Sequence, residues 1–95
     1  MAQFVDADLA TTPVTVTSSP AYLTGFVFSE ISGSAQTVNL SNGSGDGDII
    51  LQGVNVGGDG TTAVMFGEGV TSLSFPSGIY ASASAGGVNV TITYM

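Results

Sequence analysis

The sequence contains no cysteine, lysine, arginine, histidine or tryptophan. Without thiols there is no disulfide framework and no thiolate metal site. Without histidine the chain lacks the side chain that most often serves as general base and metal ligand. Without lysine or arginine it has no cationic clamp for phosphate, so we expect no binding to nucleic acid. These absences predict a protein that is not an enzyme and carries no cofactor or metal.

Charge is scarce and of one sign. The 95 residues include seven acidic and no basic side chains, which gives a formal net charge of −7 at pH 7. Charged residues make up only 7% of the chain, against about 25% in an ordinary soluble domain. Hydrophobic residues nevertheless reach 43%, which argues against a disordered chain. The surface must therefore consist mainly of Ser, Thr, Asn, Gln and Gly, and no ion pair between side chains can form.

Long hydrophobic segments are also missing. The first residues have neither the basic start nor the apolar core of a secretory signal. The longest aliphatic run is Ile49–Leu51, far shorter than the ~20 residues that span a bilayer. We therefore expect synthesis in the cytoplasm and no membrane partner.

Short runs of alternating apolar and polar residues begin at Pro13 and are separated by Gly, Pro and Ser turns. About eight such runs are typical of an antiparallel β-sandwich, and a jelly roll is one arrangement that the pattern allows. The run over 22–31 is apolar on both faces, which predicts a central strand. The runs 79–84 and 88–94 flank Ala85-Gly86-Gly87 and predict a hairpin. Residues 1–12 lack the pattern, so we expect an N-terminal arm before a single domain over 13–95.

The predicted core is small for a domain of this length. It consists of the apolar residues of the alternating runs together with aromatic side chains, among which Tyr22 and Phe66 are also expected to be buried. The 14 glycines add to the entropic cost of folding. Small domains without disulfides or metals often depend on oligomerisation, and we expect a homo-oligomer, with a trimer favoured. The core residues predicted by name are Phe26, Phe28, Val38, Ile50, Phe75, Ile79, Val90 and Ile92.

Carboxylates and serines are the only candidates for catalysis. Gly43-Ser44-Gly45 lacks the G-x-S-x-G spacing of a nucleophile elbow and the helix that follows one. Paired acids can hydrolyse glycosides, but a 95-residue sandwich offers little cleft in which to raise a carboxyl pKa. We therefore interpret these acids, apart from Glu30, as solvated residues of turns or of the N-terminal arm. The candidate acids are Asp6 with Asp8, Asp46 with Asp48, Glu30 and Glu68.

Two glycine-rich segments resemble ligand-binding motifs. Gly58–Ala63 matches G-x-G-x-x-A, but that motif requires a helix after it, and the sequence predicts a strand. The segment 42–48 resembles a calcium loop, with Asp46 and Asp48 as possible ligands. It lacks the flanking helices of an EF-hand and occurs once, so a solvated Gly/Asp turn is favoured and calcium binding stays an open alternative.

Four segments carry a resemblance to a known group of proteins: Ser18–Phe28, Val38–Leu40, Phe75–Tyr80 and Val88–Tyr94. In this order they resemble the small β-sandwich proteins encoded near the virion genes of tailed bacteriophages, especially marine and cyanobacterial phages. The most specific part is the F-x-x-G-I-Y step before the last strand. The resemblance covers residues 18–95 and maps no functional residue onto this chain.

That resemblance implies an accessory virion protein, most often one that decorates the capsid exterior. The partner would be the major capsid protein or another virion protein. Because this chain has no basic residue, any ionic attraction would have to come from basic residues of that partner meeting acids such as Asp6 and Asp8. The alternative hypothesis is a host-surface or carbohydrate-binding module.

Overall fold

The computed structural model describes residues 2–43, 48–65 and 73–95, and of Asp48 only the backbone. These residues form an all-β structure in which no helix is present. In the described part of the chain, therefore, no helix is long and apolar enough to cross a membrane. The strands are β1 (Ala2–Asp6), β2 (Val14–Thr17), β3 (Ala21–Glu30), β4 (Gln36–Asn42), β5 (Asp48–Val56), β6 (Thr61–Met65), β7 (Leu73–Phe75), β8 (Ile79–Ala83) and β9 (Val88–Tyr94).

The strands form two antiparallel sheets that pack together as a β-sandwich, as the sequence predicts. The five-stranded sheet has the order β1-β9-β3-β6, with β7 also paired to β3. The four-stranded sheet has the order β2-β8-β4-β5. Strand β3 lies between β9 on one side and β6 and β7 on the other, which confirms its predicted central place.

The strand order is that of a jelly roll. Strand β6 pairs with the second half of β3, from Gly25 to Ser29, and β7 pairs with its first part, from Ala21 to Leu23. The two short strands thus occupy the place of one strand beside β3. Counted in that way, the first strand pairs with the last and the second with the last but one, and the chain changes sheet at every connection except the one between the paired strands β4 and β5, as in the double Greek key of a jelly roll.

Residues 79–94 do not form the hairpin that the sequence predicts, so that prediction is wrong. Strand β8 pairs with β2 and β4 in one sheet, whereas β9 pairs with β1 and β3 in the other. The Gly-Gly segment between them crosses from sheet to sheet, and the backbone of Gly87 has a φ of 93°. A positive φ at glycine suits a sharp change of direction as well as a tight hairpin, so the turn residues alone did not decide the pairing.

The N-terminal segment is a strand of the sandwich, in contrast to the predicted arm. Residues Ala2 to Asp6 pair with β9 along their whole length. Leu9 is fully buried, and its N–H donates to the carbonyl of Val88 at 2.8 Å. Leu9 therefore closes the core where the chain passes from β1 to β2, and removing residues 1–12 would take away both an outer strand and a core residue.

All of the core residues predicted by name are buried except Ile50, which is 38% exposed. The reason is that β5 departs twice from regular pairing with β4, between Val38 and Leu40 and between Leu40 and Ser41. Each β-bulge shifts the alternation by one residue. Gly53 lies in the first of these irregular stretches with a φ of 65°.

Tyr22 and Phe66 are the two other aromatic residues that the sequence places in the core. Tyr22 is 52% exposed, so its predicted burial is wrong: it lies between the buried Ala21 and Leu23 and points to the opposite face of β3. Phe66 lies outside the described residues. Phe26 and Phe28, by contrast, stack inside the core with ring centroids 4.4 Å apart.

Gly78 is the glycine whose replacement we expect to cost most. Its φ is 96°, and a Cβ there would collide with the carbonyl oxygen of Thr17. Gly78→Ala should therefore destabilise the fold by about 2 kcal/mol or more, measured by urea unfolding. Gly57→Ala is the matched control, because no atom lies within 4 Å of its Cβ position, and it should change stability by less than about 1 kcal/mol. Equal effects would contradict this account of the turn.

Candidate functional site

The structure brings several of the candidate acids to one end of the sandwich. Asp6 ends β1, Asp8 follows it, and Glu30 ends β3. Asp59 lies in the turn between β5 and β6. Asp48 is at the opposite end of β5, while Asp46, Glu68 and the Ser44 of the glycine-rich loop lie outside the described residues.

The centre of this acidic end is the carboxylate of Glu30, which is buried with 2% exposure. It accepts four hydrogen bonds. Two come from Ser32, through its N–H at 2.8 Å and through its hydroxyl. The others come from the N–H groups of Gly33 at 2.8 Å and Asp59 at 3.2 Å. Both carboxylate oxygens are therefore bound within the protein.

These contacts determine the charge state of Glu30. Burial by itself raises the pKa of the carboxyl group, but the hydrogen bonds from Ser32, Asp59 and Gly33 outweigh it and lower the pKa from 4.5 to about 2. Glu30 is thus ionised at neutral pH. Because its oxygens are occupied by donors and its pKa is low, it is a poor general acid.

The Glu30 contacts join several connections between strands. Its own N–H donates to the carbonyl of Gly60 at 2.9 Å, and the next residue, Ile31, donates to Gly87 at 2.8 Å. Gly87 in turn donates to the carboxylate of Asp8 at 2.8 Å. Hydrogen bonds therefore join four connections at this end of the sandwich: β1–β2, β3–β4, β5–β6 and β8–β9. The carboxylates of Glu30 and Asp8 hold backbone N–H groups of these connections in place.

The motif candidates find no support as ligand sites. Gly58–Ala63 forms a turn followed by strand β6, and the N–H of Gly60 closes that turn on the carbonyl of Gly57 at 2.8 Å. Within the residues that the structure describes, no group of three or more His, Cys, Asp or Glu side chains could hold a metal ion. The proposed calcium pair cannot be placed, because Asp46 is not described.

Calcium binding at Asp46 and Asp48 remains a testable alternative. A specific site would raise the melting temperature in a saturable way, because a ligand that binds only the folded state stabilises it. We expect only a small effect, the same for calcium and magnesium, from screening of the −7 charge. Thermal melts at increasing concentrations of each cation test this. Saturable stabilisation by micromolar calcium alone would overturn it.

A shallow cavity of about 330 Å³ lies at the opposite end of the five-stranded sheet. Its lining is mainly apolar and includes no acidic residue. Tyr22 contributes an exposed ring beside two prolines. The lining residues are Pro20, Ala21, Tyr22, Ser74, Pro76 and Met95. Ser74 contributes a hydroxyl group to the wall, but none of the lining side chains is a base that could activate it as a nucleophile.

Among the described residues, the outward side of the five-stranded sheet, here called face A, carries no charged side chain. Its central row crosses four strands as Val5, Thr91, Val27 and Ala63. Val5 is 64% exposed, and Met65, in the next row, 67%. Along β1, β9, β6 and the part of β3 that pairs with β6, the residues of face A are Gln3, Val5, Gly25, Val27, Ser29, Thr61, Ala63, Met65, Asn89, Thr91 and Thr93. A surface of methyl and hydroxyl groups without charge suits contact with another protein surface.

The outward side of the four-stranded sheet, here called face B, is more polar. One row consists of Thr15, Tyr80, Ser41 and Ile49. Asn39 belongs to the same face, and its side-chain oxygen accepts the N–H of Gly53 at 2.6 Å. Face B therefore combines one aromatic ring with hydroxyl and amide groups.

The chain matches no known protein-family model, no curated protein and no solved structure.

The sequence named Asp6, Asp8 and Glu30 of the acidic end as candidate acids, but it predicted neither the place of Asp59 beside Glu30 nor the role of these carboxylates as acceptors for backbone groups. Glu30 was one acid among several candidates, because nothing in its neighbourhood shows that Asp59 would lie beside it. Faces A and B were missed because they depend on which strands are neighbours. The spacing Glu30-x-Ser32-Gly33 is a usable signal in retrospect, since a carboxylate often accepts hydrogen bonds from backbone two and three residues later.

Proposed function

We propose that this protein is a non-enzymatic structural subunit of a virion, a capsid decoration subunit of a tailed bacteriophage that acts as a homo-oligomer on the capsid exterior. The observation that supports the proposal most is face A, an uncharged surface that spans four strands of a jelly-roll sandwich. Such a surface binds another protein by shape and apolar contact, and it needs no cleft.

The distribution of charge is consistent with this role. The acids of the described residues lie at the ends of the sandwich, where Glu30 and Asp8 serve as acceptors for backbone groups. A net charge of −7 without any cation keeps the protein away from nucleic acid. Association through face A would depend only weakly on salt, because no charge on that face can be screened.

A second candidate function is a carbohydrate-binding module, and face B is the observation that favours it. Jelly rolls include lectin domains, and sugars are commonly bound by an aromatic ring beside hydroxyl and amide groups. Tyr80 with Thr15 and Asn39 presents such groups on one sheet. This candidate uses the opposite side of the molecule from face A, so the two hypotheses can be separated by mutation.

Co-sedimentation with bare phage capsids, at low and high salt, tests the first proposal. Val27→Asp places a charge at the centre of face A and should abolish binding to the capsid. Thr15→Asp makes the same change in charge on face B and should leave binding intact. Failure of the natural protein to bind capsids would overturn the proposal. If Thr15→Asp alone loses binding, face B rather than face A contacts the capsid.

A further inference from the structure

Most outer strands of the sandwich carry a feature that discourages pairing with another chain. Strand β2 follows Pro13, β7 is three residues long and precedes Pro76, and β5 has an irregular register around Gly53. Strand β1 ends in Asp6. Prolines, bulges, short length and charge are the usual protections of a strand edge. Strand β6 has none of them: its sequence is TTAVM, and it pairs with β3 in an unbroken register.

The hydrogen bonding shows which groups of β6 are free. The N–H of Glu30 donates to the carbonyl of Gly60, its register partner, at 2.9 Å. Backbone groups alternate in direction along a strand, so Thr62 and Val64 also bond to β3. The N–H and carbonyl groups of Thr61, Ala63 and Met65 then point away from the sheet, where the described strands provide no neighbour.

Apolar side chains are also more exposed on the side of the sandwich next to β6 than on the opposite side. Val64 is 36% exposed and Met65 67%, and Ile50 of the facing sheet is 38% exposed. On the other side of the core, Leu9 is fully buried. Apolar side chains thus remain in solvent beside an unprotected strand edge, which is the arrangement expected of an interface.

The charge of the chain indicates what covers this edge. Strand β6 has no charged residue, so neither a basic nor an acidic partner would find a counter-charge there. A second copy, which carries the same charge of −7, meets no like charge along Thr61–Met65. The strand also suits two-fold pairing. If β6 of one copy runs antiparallel to β6 of the other with Ala63 at the centre, Thr61 of each copy lies opposite Met65 of the other. The outward side chains of both strands then lie on the same face of the joined sheet.

We propose that β6 pairs antiparallel with β6 of a second copy, with Ala63 beside its own equivalent on a two-fold axis. The free groups of Thr61, Ala63 and Met65 would then form about six backbone hydrogen bonds. Two five-stranded sheets become continuous, and face A doubles in width. The inference rests on the proposed homo-oligomer but specifies a two-fold contact, which closes as a dimer, in place of the trimer favoured from the sequence.

Proline substitution tests the edge without removing a bond of the fold. Ala63→Pro deletes an N–H that points away from β3, so the protein should stay folded while self-association weakens by at least about tenfold. Val5→Pro is the matched control on the opposite edge, because the same alternation directs its N–H away from β9. Analytical ultracentrifugation measures both. Weakening in the Val5 variant alone, or a trimer that Ala63→Pro leaves intact, would overturn the proposal.

A cysteine variant gives a second measurement that does not depend on tolerance of proline. The chain has no cysteine, so Ala63→Cys introduces the only thiol. Directly opposed residues of a hydrogen-bonded pair have Cα atoms about 5.5 Å apart, within disulfide range. Mild oxidation should therefore yield a covalent dimer, and Val5→Cys should not. No cross-link at Ala63 would refute the two-fold contact. Capsid binding, measured separately, would then show whether the proposed function survives.

Discussion

Replacing Phe28 with alanine should lower the free energy of unfolding by about 3–5 kcal/mol. The side chain is fully buried at the centre of β3 and stacks on Phe26. A chain of this length has a total stability of roughly 5–14 kcal/mol, so the variant should be marginally folded at best. Urea or thermal unfolding followed by circular dichroism measures the change.

Val27→Ala is the control for that experiment. Val27 is the next residue on the same strand, but its side chain belongs to face A and is 36% exposed. Its truncation should cost less than about 1 kcal/mol. Comparable losses for the two variants would mean that β3 is out of register by one residue, since such a slip exchanges the two faces of a strand.

The parts of the fold that depend on local alternation were predictable from the sequence. Burial alternates along β8 and from Val88 to Ile92 in β9, so Ile79, Val90 and Ile92 could be assigned to the core. The same reasoning failed at Ile50, because bulges in β5 change the phase of the pattern. Periodicity reports which residues share a face only while the register is regular.

Pairing between distant strands was not predictable in this way. Gly86 and Gly87 are compatible with a hairpin and with a crossover, and the choice is made by β1 and β3, which pair with β9 from far along the chain. The joint around Glu30 is of the same kind, because the N–H of Asp59 comes from another connection. Such contacts depend on topology, which one sequence does not reveal.

The acid sensitivity of the fold should depend on Glu30. Its pKa falls from 4.5 to about 2 in the folded protein, so the unfolded chain binds a proton more readily than the folded one does. The stabilisation from the ionised carboxylate is complete above about pH 5 and is lost as the pH falls toward 2. Urea unfolding of the natural protein at several pH values between 7 and 2 should show this loss.

Glu30→Gln is the decisive variant. The amide keeps the shape of the side chain but places an NH₂ group among the donors of Ser32, Gly33 and Asp59, so it cannot satisfy all of them. The variant should be less stable than the natural protein at pH 7, and this difference should shrink as the pH approaches 2, because protonation then weakens the same contacts in the natural protein. Asp59→Asn is the control, because it removes an equal charge but retains the backbone N–H that Glu30 accepts. The difference in unfolding free energy between this variant and the natural protein should not shrink with falling pH as that of Glu30→Gln does. If the difference for Glu30→Gln instead stays constant from pH 7 to pH 2, the carboxylate is not the group whose ionisation holds the connections together.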